Sequence, residues 1–367
     1  MILSTGKKTE VIHMELRQRI LAGEWKEGER LPTEAELAQS FDCSIGTVSK
    51  GVALLVHDGL VERRPRTGTR VIRNTATPPV SQTSQKLDAF AFIYPSAQHE
   101  STWRMMKSFQ MASKENSRRM VTLDTGVDYQ REAEYISRLI EFDVCGAVIS
   151  PVLYRSEDYA HFCGILLKCS VPIVIVGTQL HGIDCPAVFF DAFHAGYSSA
   201  LHLIERGAKN IGFLSNEASI TRSYYDGYIW ALEEKGLRPR ADLVLRDNSI
   251  HPNFENPVDE PTQLGTRYLE TCSPDVDGVV CANDYIGLGL VRAAKATGRK
   301  VPKDLKVVGI DGLEASAAND VPLTSYHYPF EEAGRSAFKM LDRLVSGEIS
   351  GHQELKLRGR IVPGAST

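Results

Sequence analysis

Seven apolar runs of strand length, separated by spacers of helix length, constrain this chain more than any other feature. They read AFAFIYP at 89–95, RRMVTLD at 118–124, VCGAVISP at 144–151, VPIVIVG at 171–177, NIGFLSN at 210–216, GVVCAN at 278–283 and KVVGIDG at 306–312. Near-continuous apolar strands are the pattern of a parallel sheet covered on both faces, and spacers such as 129–142, 195–206 and 285–297 supply the covering helices. About nine or ten strands in all exceed what one compact sheet usually carries, so the reading is an α/β fold of two Rossmann-like subdomains with a cleft between them. Ligands in such sheets sit beyond the carboxyl ends of the strands, which makes the residues there the candidates.

The pattern begins only after NTATPPVSQTSQ at 74–85, whose Pro78-Pro79 pair and polar neighbours read as an extended linker. The expected organisation is therefore a domain at 1–73, a linker at 74–87 and a larger domain at 88–367. Within the latter, subdomain one takes about 88–190 plus 328–357, and subdomain two about 191–327 plus the C-terminal end. The chain carries a net charge of −4, but unevenly: residues 50–73 hold 6 basic side chains and 2 acidic ones. A positive field confined to one short segment points to a local anionic partner.

In the first domain Ile12, Leu16 and Ile20 form one helical stripe. Thr33 with Glu36 is a capping box opening a second short helix, with Leu37 and Phe41 on its apolar side. Ser44 caps a third, which buries Val48, Val52 and Leu55, stops near Gly59, and presents Ile45, Gly46, Ser49, Lys50 and Ala53 on the opposite face. LVERRP and TRVIR then form a basic hairpin around 65–68. Three short helices closed by such a hairpin are a winged helix-turn-helix, suited to double-stranded DNA.

LPTEAELAQSF, SIGTVSKGVALLVHDGLV and RTGTRVI resemble the DNA-binding domain of the gluconate-repressor (GntR) family across 9–72. The resemblance implies DNA contacts from Thr33, Ser44, Ile45, Thr47, Ser49, Lys50, Arg63, Arg64, Arg66, Thr67 and Gly68. That family usually has arginine where this chain has Ala35, Ile45 and Ser49, so Lys50, the Ser44 and Thr47 hydroxyls and the wing arginines are left to carry more of the contact.

In the larger domain, FFDAFHAGYSSALHLIERGAKNIGFL at 189–214, ITRSYYDGYIWALEEKGL at 220–237 and GVVCANDYIGLGLVRAAKATGRKVPKDLKVVGIDG at 278–312 resemble the effector domain of the lactose-repressor (LacI) family, itself similar to periplasmic sugar-binding proteins. The resemblance spans about 88–362 and implies two subdomains joined by three crossovers. It places Arg222, Asn283 and Asp311 on polar groups of a small ligand, Phe190 on an apolar wall and Tyr328 at a polar contact. Tyr94, Trp103 and Asp124 are further candidate lining residues. Planar Asp, Asn and Arg groups with an aromatic face suit a sugar or sugar derivative. Asp191 reads better as a helix cap than as a ligand contact, and Gly312 stands where that family often has an acidic residue. A LacI-type hinge helix is not expected at Pro78-Pro79. A GntR-type reader on a LacI-type sensor is the arrangement of arabinose-repressor-type regulators.

The expected function is thus a ligand-responsive bacterial transcriptional regulator, a homodimer that represses carbohydrate-use genes. The alternatives are a solute-binding protein or a regulator responding to a nucleobase. An enzyme is disfavoured: G-x-S-x-G, a P-loop and a strand-linked G-x-G-x-x-G are all missing, and Asp191 with Asp311 is the only acid–base pairing to consider. No cofactor or metal is expected; His99-Glu100 lacks the second histidine of a zinc-protease motif, and His181, Asp184 and Cys185 read as incidental loop residues. Seven cysteines without a C-x-x-C pair, no export signal and no apolar run near the roughly 18 residues of a membrane span suggest the cytoplasm.

Overall fold

The computed structural model describes residues 5–64, 68–72, 89–153, 156–180, 182–247, 253, 255–318 and 320–367. The linker, Arg66 and Thr67 lie outside the described residues, as does the Pro78-Pro79 region. Contacts divide the chain into two compact units, residues 1–85 and 86–367.

The first unit contains α1 (Thr5–Leu21), α2 (Glu34–Ser40), α3 (Ile45–His57) and the hairpin of β1 (Val61–Arg64) and β2 (Gly68–Val71). The stripe of α1 is buried at Ile12, Leu16 and Ile20, and meets Leu37 of α2, Val48, Val52 and Leu55 of α3, and Val61 and Val71 of the hairpin. The Thr33–Glu36 box forms in both directions: the Thr33 N–H donates to Glu36 Oε2 at 2.7 Å, and the Glu36 N–H donates to Thr33 Oγ1 at 3.3 Å. The strands pair antiparallel from Val61↔Val71 to Arg64↔Gly68.

The second unit has two six-stranded sheets. The first is ordered β13-β7-β6-β5-β3-β4 and is parallel throughout. Its strands are β3 (Ala89–Tyr94), β4 (Arg119–Asp124), β5 (Gly146–Ile149), β6 (Ile173–Gly177), β7 (Ala187–Phe190) and β13 (Glu354–Leu357). The second is ordered β14-β12-β11-β10-β8-β9, with only β14 antiparallel to its neighbour. It comprises β8 (Ile211–Asn216), β9 (Val244–Asp247), β10 (Gly278–Cys281), β11 (Lys306–Asp311), β12 (Thr324–His327) and β14 (Arg360–Val362). Five of these twelve strands lie outside the seven apolar runs, namely β7, β9, β12, β13 and β14; each is only three or four residues long, and all but β7 carry polar or charged residues.

The chain passes between the sheets three times: from β7 into α7 (Ala192–Glu205), from β12 into α12 (Phe330–Val345), and from β13 to β14. Aromatic packing anchors the first sheet, where Phe92 meets Phe109 of α4 (Glu100–Glu115) edge-on at 5.2 Å between centroids. In the second, α7 and α8 (Ser219–Glu234) approach backbone to backbone. A Cβ at Gly196 would fall 1.9 Å from the Tyr224 carbonyl oxygen, and one at Gly227 would fall 2.0 Å from that of Phe193. Only glycine permits that approach.

Candidate functional site

The carboxyl ends of β5, β6 and β7 face those of β8, β10 and β11 across a cleft of about 270 Å³. Phe190, which ends β7, and Tyr328, at the second crossing, form its aromatic wall, with ring centroids 4.5 Å apart and planes inclined at 30°. The Tyr328 hydroxyl donates to that of Tyr224 at 3.3 Å, and burial pushes both phenols well above their ordinary titration. Asn283 caps α10 (Asp284–Ala296), its Oδ1 accepting from the Ile286 N–H at 2.8 Å. That bond uses the amide acceptor and not its two N–H donors.

Asp311 ends β11 with φ +127, a left-handed-side conformation that L residues rarely adopt. The next two N–H groups explain how it is held: Gly312 and Leu313 donate to the buried Asp284 carboxylate at 3.0 and 2.7 Å, and the Ser325 hydroxyl donates to its other oxygen at 2.5 Å. Burial raises the Asp311 carboxyl well above the usual range, and the charges of Asp284 and Glu100 push the same way. Gly312 itself has φ +76, and a Cβ there would lie 2.3 Å from His327 Cγ. An acidic side chain at 312 has no room. His99, from the loop before α4, also lines the cleft; burial lowers its imidazole to about 4, so the ring is neutral at pH 7, and it hydrogen-bonds Ser101 Oγ at 2.6 Å.

Of the residues singled out in the sequence, Phe190, Asn283, Asp311 and Tyr328 meet in this cleft. Arg222 does not: it is exposed, while Thr221 and Tyr224 of the same helix line the wall. Residues two apart on a helix point about 200° away from each other, so α8 cannot present 222 and 224 to one ligand. Trp103 is likewise rotated out of the cleft that Thr102 and Met105 line, and it lies under the Lys107 ammonium at 4.5 Å. Tyr94 is buried beside Phe92, and Asp124 lies on the edge strand β4, exposed, accepting from the Gly126 N–H at 2.8 Å. Asp191 caps α7 through the His194 N–H at 3.1 Å and accepts from Arg358 at 2.9 Å; it does not join Asp311 in the cleft. Thr221, Tyr224 and His99 are lining residues the sequence reading missed. The Tyr224/Tyr228 pair at i and i+4, an inward stripe, was the available signal for α8.

In the first unit a groove between the start of α2 and the hairpin brings together Thr33, Arg63 and Gly68. Arg63 is engaged within the protein: its guanidinium donates to Glu34, to the Ser49 carbonyl at 2.8 Å and to Ser49 Oγ at 3.1 Å. Ser44 caps α3, and its hydroxyl meets that of buried Thr47 at 2.8 Å. Lys50 and Ile45 are exposed. Arg64 contributes its backbone to β1; its side chain lies outside the described residues. Among the described residues no three His, Cys, Asp or Glu side chains gather to hold a metal ion, and no helix is long and apolar enough to cross a membrane.

A winged reader and a two-sheet ligand-binding unit on one chain define a transcriptional regulator with an effector domain. Residues 8–71 match the bacterial regulatory proteins of the gntR family, and residues 200–367 match the periplasmic binding protein-like domain. The chain therefore joins a GntR-type DNA-binding domain to a periplasmic-binding-protein-like domain. It is 25% identical to the arabinose metabolism transcriptional repressor of Geobacillus stearothermophilus, over 96% of this chain and 98% of that one. It is 28% identical to the transcriptional repressor PurR of Pectobacterium carotovorum, over 64% and 66% of the two chains. In fold it is similar to the transcription regulator CcpA of Lactococcus lactis, with a TM-score of 0.67 and 22% identity over 76% of this chain and 98% of that one. A regulator CelR–cellobiose complex gives 0.65 and 21% over 92% and 100%. Each of these proteins is named as a regulator of transcription, not as an enzyme.

Proposed function

We propose that this protein is a homodimeric, cytoplasmic repressor whose operator affinity changes when a small polyhydroxylated effector, a sugar or sugar derivative, occupies the cleft. The observation that carries this reading is the Phe190–Tyr328 wall in one cavity with Asp311 and Asn283. An aromatic face takes the C–H side of a sugar ring, while a carboxyl group and an amide take its hydroxyls. The arabinose-metabolism repressor among its relatives is in keeping with a sugar. Effector binding would change the angle between the subdomains and so the spacing of two readers on a pseudo-palindromic site. A coupling of about 1–3 kcal/mol suffices for a change of several-fold to about a hundredfold.

A purine-type effector is the second reading, favoured by the same aromatic wall and by the likeness to PurR. A thermal-shift screen of the full chain against pentoses, hexoses, sugar acids, nucleosides and nucleobases separates the two, since a ligand at 100 times its Kd adds about 2.7 kcal/mol. The compound that shifts the melting is then added to labelled operator duplex bound to the protein. Release or tightening without any product formed supports the proposal. A shift with purines and none with sugars selects the second reading, and equal affinity for every duplex with or without ligand defeats both.

A further inference from the structure

Ile45 is the first residue of α3, directly after the Ser44 cap, and 55% of its surface is exposed. A β-branched residue is a modest helix former, and one this open gains little from the core. The surrounding face is low in relief: Gly46 and Ala53 are exposed and small, and Ser49 is half-buried with its hydroxyl accepting from Arg63. Lys50 adds one exposed cation to the same face. Ile45 is thus an apolar projection on a shallow helix surface whose one cation, Lys50, is opposite in charge to a DNA groove.

When a helix-turn-helix docks, the first residues of the recognition helix reach the base edges in the major groove. Isoleucine has neither donor nor acceptor, so the polar edges of guanine, cytosine and adenine gain nothing from it. The one apolar group the major groove displays is the thymine 5-methyl. We propose that Ile45 packs on a thymine methyl in each half-site and so selects a T·A pair there. This rests on the operator-reading role given to α3 above.

The test begins with duplexes selected by the full-length protein from a randomised pool. Each thymine is then replaced singly by deoxyuridine, which removes the methyl and leaves every hydrogen bond. At one thymine per half-site, uracil should weaken wild-type binding about fourfold, the worth of one buried methyl-sized group. Ile45→Ala should bind the thymine and uracil duplexes equally, and Ile45→Val should keep part of the discrimination. A wild type indifferent to uracil at every position, or an Ile45→Ala variant as sensitive as wild type, overturns the assignment while leaving α3 as the reader. Selected duplexes with no shared sequence, or a Lys50→Ala variant with unchanged salt dependence, would remove α3 from the DNA and the assignment with it.

Discussion

Glu132 lies in α5 (Tyr129–Ser137) with 1% of its surface exposed, and its Oε1 accepts from the Val152 N–H at 3.0 Å. Burial pushes its carboxyl up to about 8; the Val152 bond opposes that rise and the charge of Asp158 adds to it. An unfolded glutamate titrates near ~4.3. Because the folded value is the higher one, folding takes up a proton: the stability is fully present below about pH 4 and is lost as pH rises through about 8. The separation between the two titrations, at about 1.4 kcal/mol per pH unit, amounts to about 5 kcal/mol. Glutamine keeps the acceptor for Val152 and cannot ionise; whatever its amide costs in packing is the same at every pH. Urea unfolding of wild type and Glu132→Gln at about pH 5 and about pH 8.5 should therefore show the variant gaining several kcal/mol on wild type between the two. A difference that holds constant within about 1 kcal/mol would refute the reasoning. The consequence reaches the cleft, since Val152 sits between Pro151 and Leu153, both of which line it.

Asp311→Asn and Tyr224→Phe should abolish or weaken the response of labelled operator to the effector while leaving effector-free operator affinity within about twofold; Arg222→Ala should leave both unchanged, in fluorescence anisotropy of the full chain. Lys50→Ala should weaken operator binding and lower the slope of log affinity against log salt by about one per protomer, about two for the dimer, measured between low and physiological ionic strength. Thr33→Ala removes the hydroxyl that accepts from the Glu36 N–H, leaving the backbone N–H of residue 33 on Glu36, and should destabilise that helix by about 1 kcal/mol, read as faster hydrogen exchange of its first-turn amides. Gly312→Ala forces a methyl against the His327 ring and onto a left-handed backbone; a loss of about 1–3 kcal/mol in stability should accompany a lost effector response.

The parts of this molecule that were legible in its sequence are those where one residue's neighbours along the chain decide its surroundings. Ile12, Leu16 and Ile20 had to share a helix face, Thr33 and Glu36 had to close on each other, and continuous runs such as VPIVIVG had to be covered strands. Phe190, Asn283 and Asp311 were legible for a related reason, since each directly ends or follows a central strand. Arg222 and Trp103 were not, because their direction depends on a helix rotation that only packing fixes, here the Gly196 and Gly227 approach for α8. Asp124 ends a strand too, but β4 is an edge strand, remote from β5, β6 and β7. The hydrogen bonds from Gly312, Leu313 and Ser325 to Asp284 join residues up to 41 positions apart, which no local pattern announces.

The three passages between the sheets run side by side: β13 pairs with β7 up to Leu357↔Phe190, β12 pairs with β14 at His327↔Arg360, and Arg358 is tied to Asp191. Any rocking of one lobe on the other must be taken up in these few adjoining residues. Phe190 and Tyr328 belong to them, so whatever rests on that aromatic pair presses close to the fulcrum rather than at the lips. A wedge near a door's pin turns slight thickness into wide travel at the outer edge, and a compound seated on that pair would act at the point of greatest leverage.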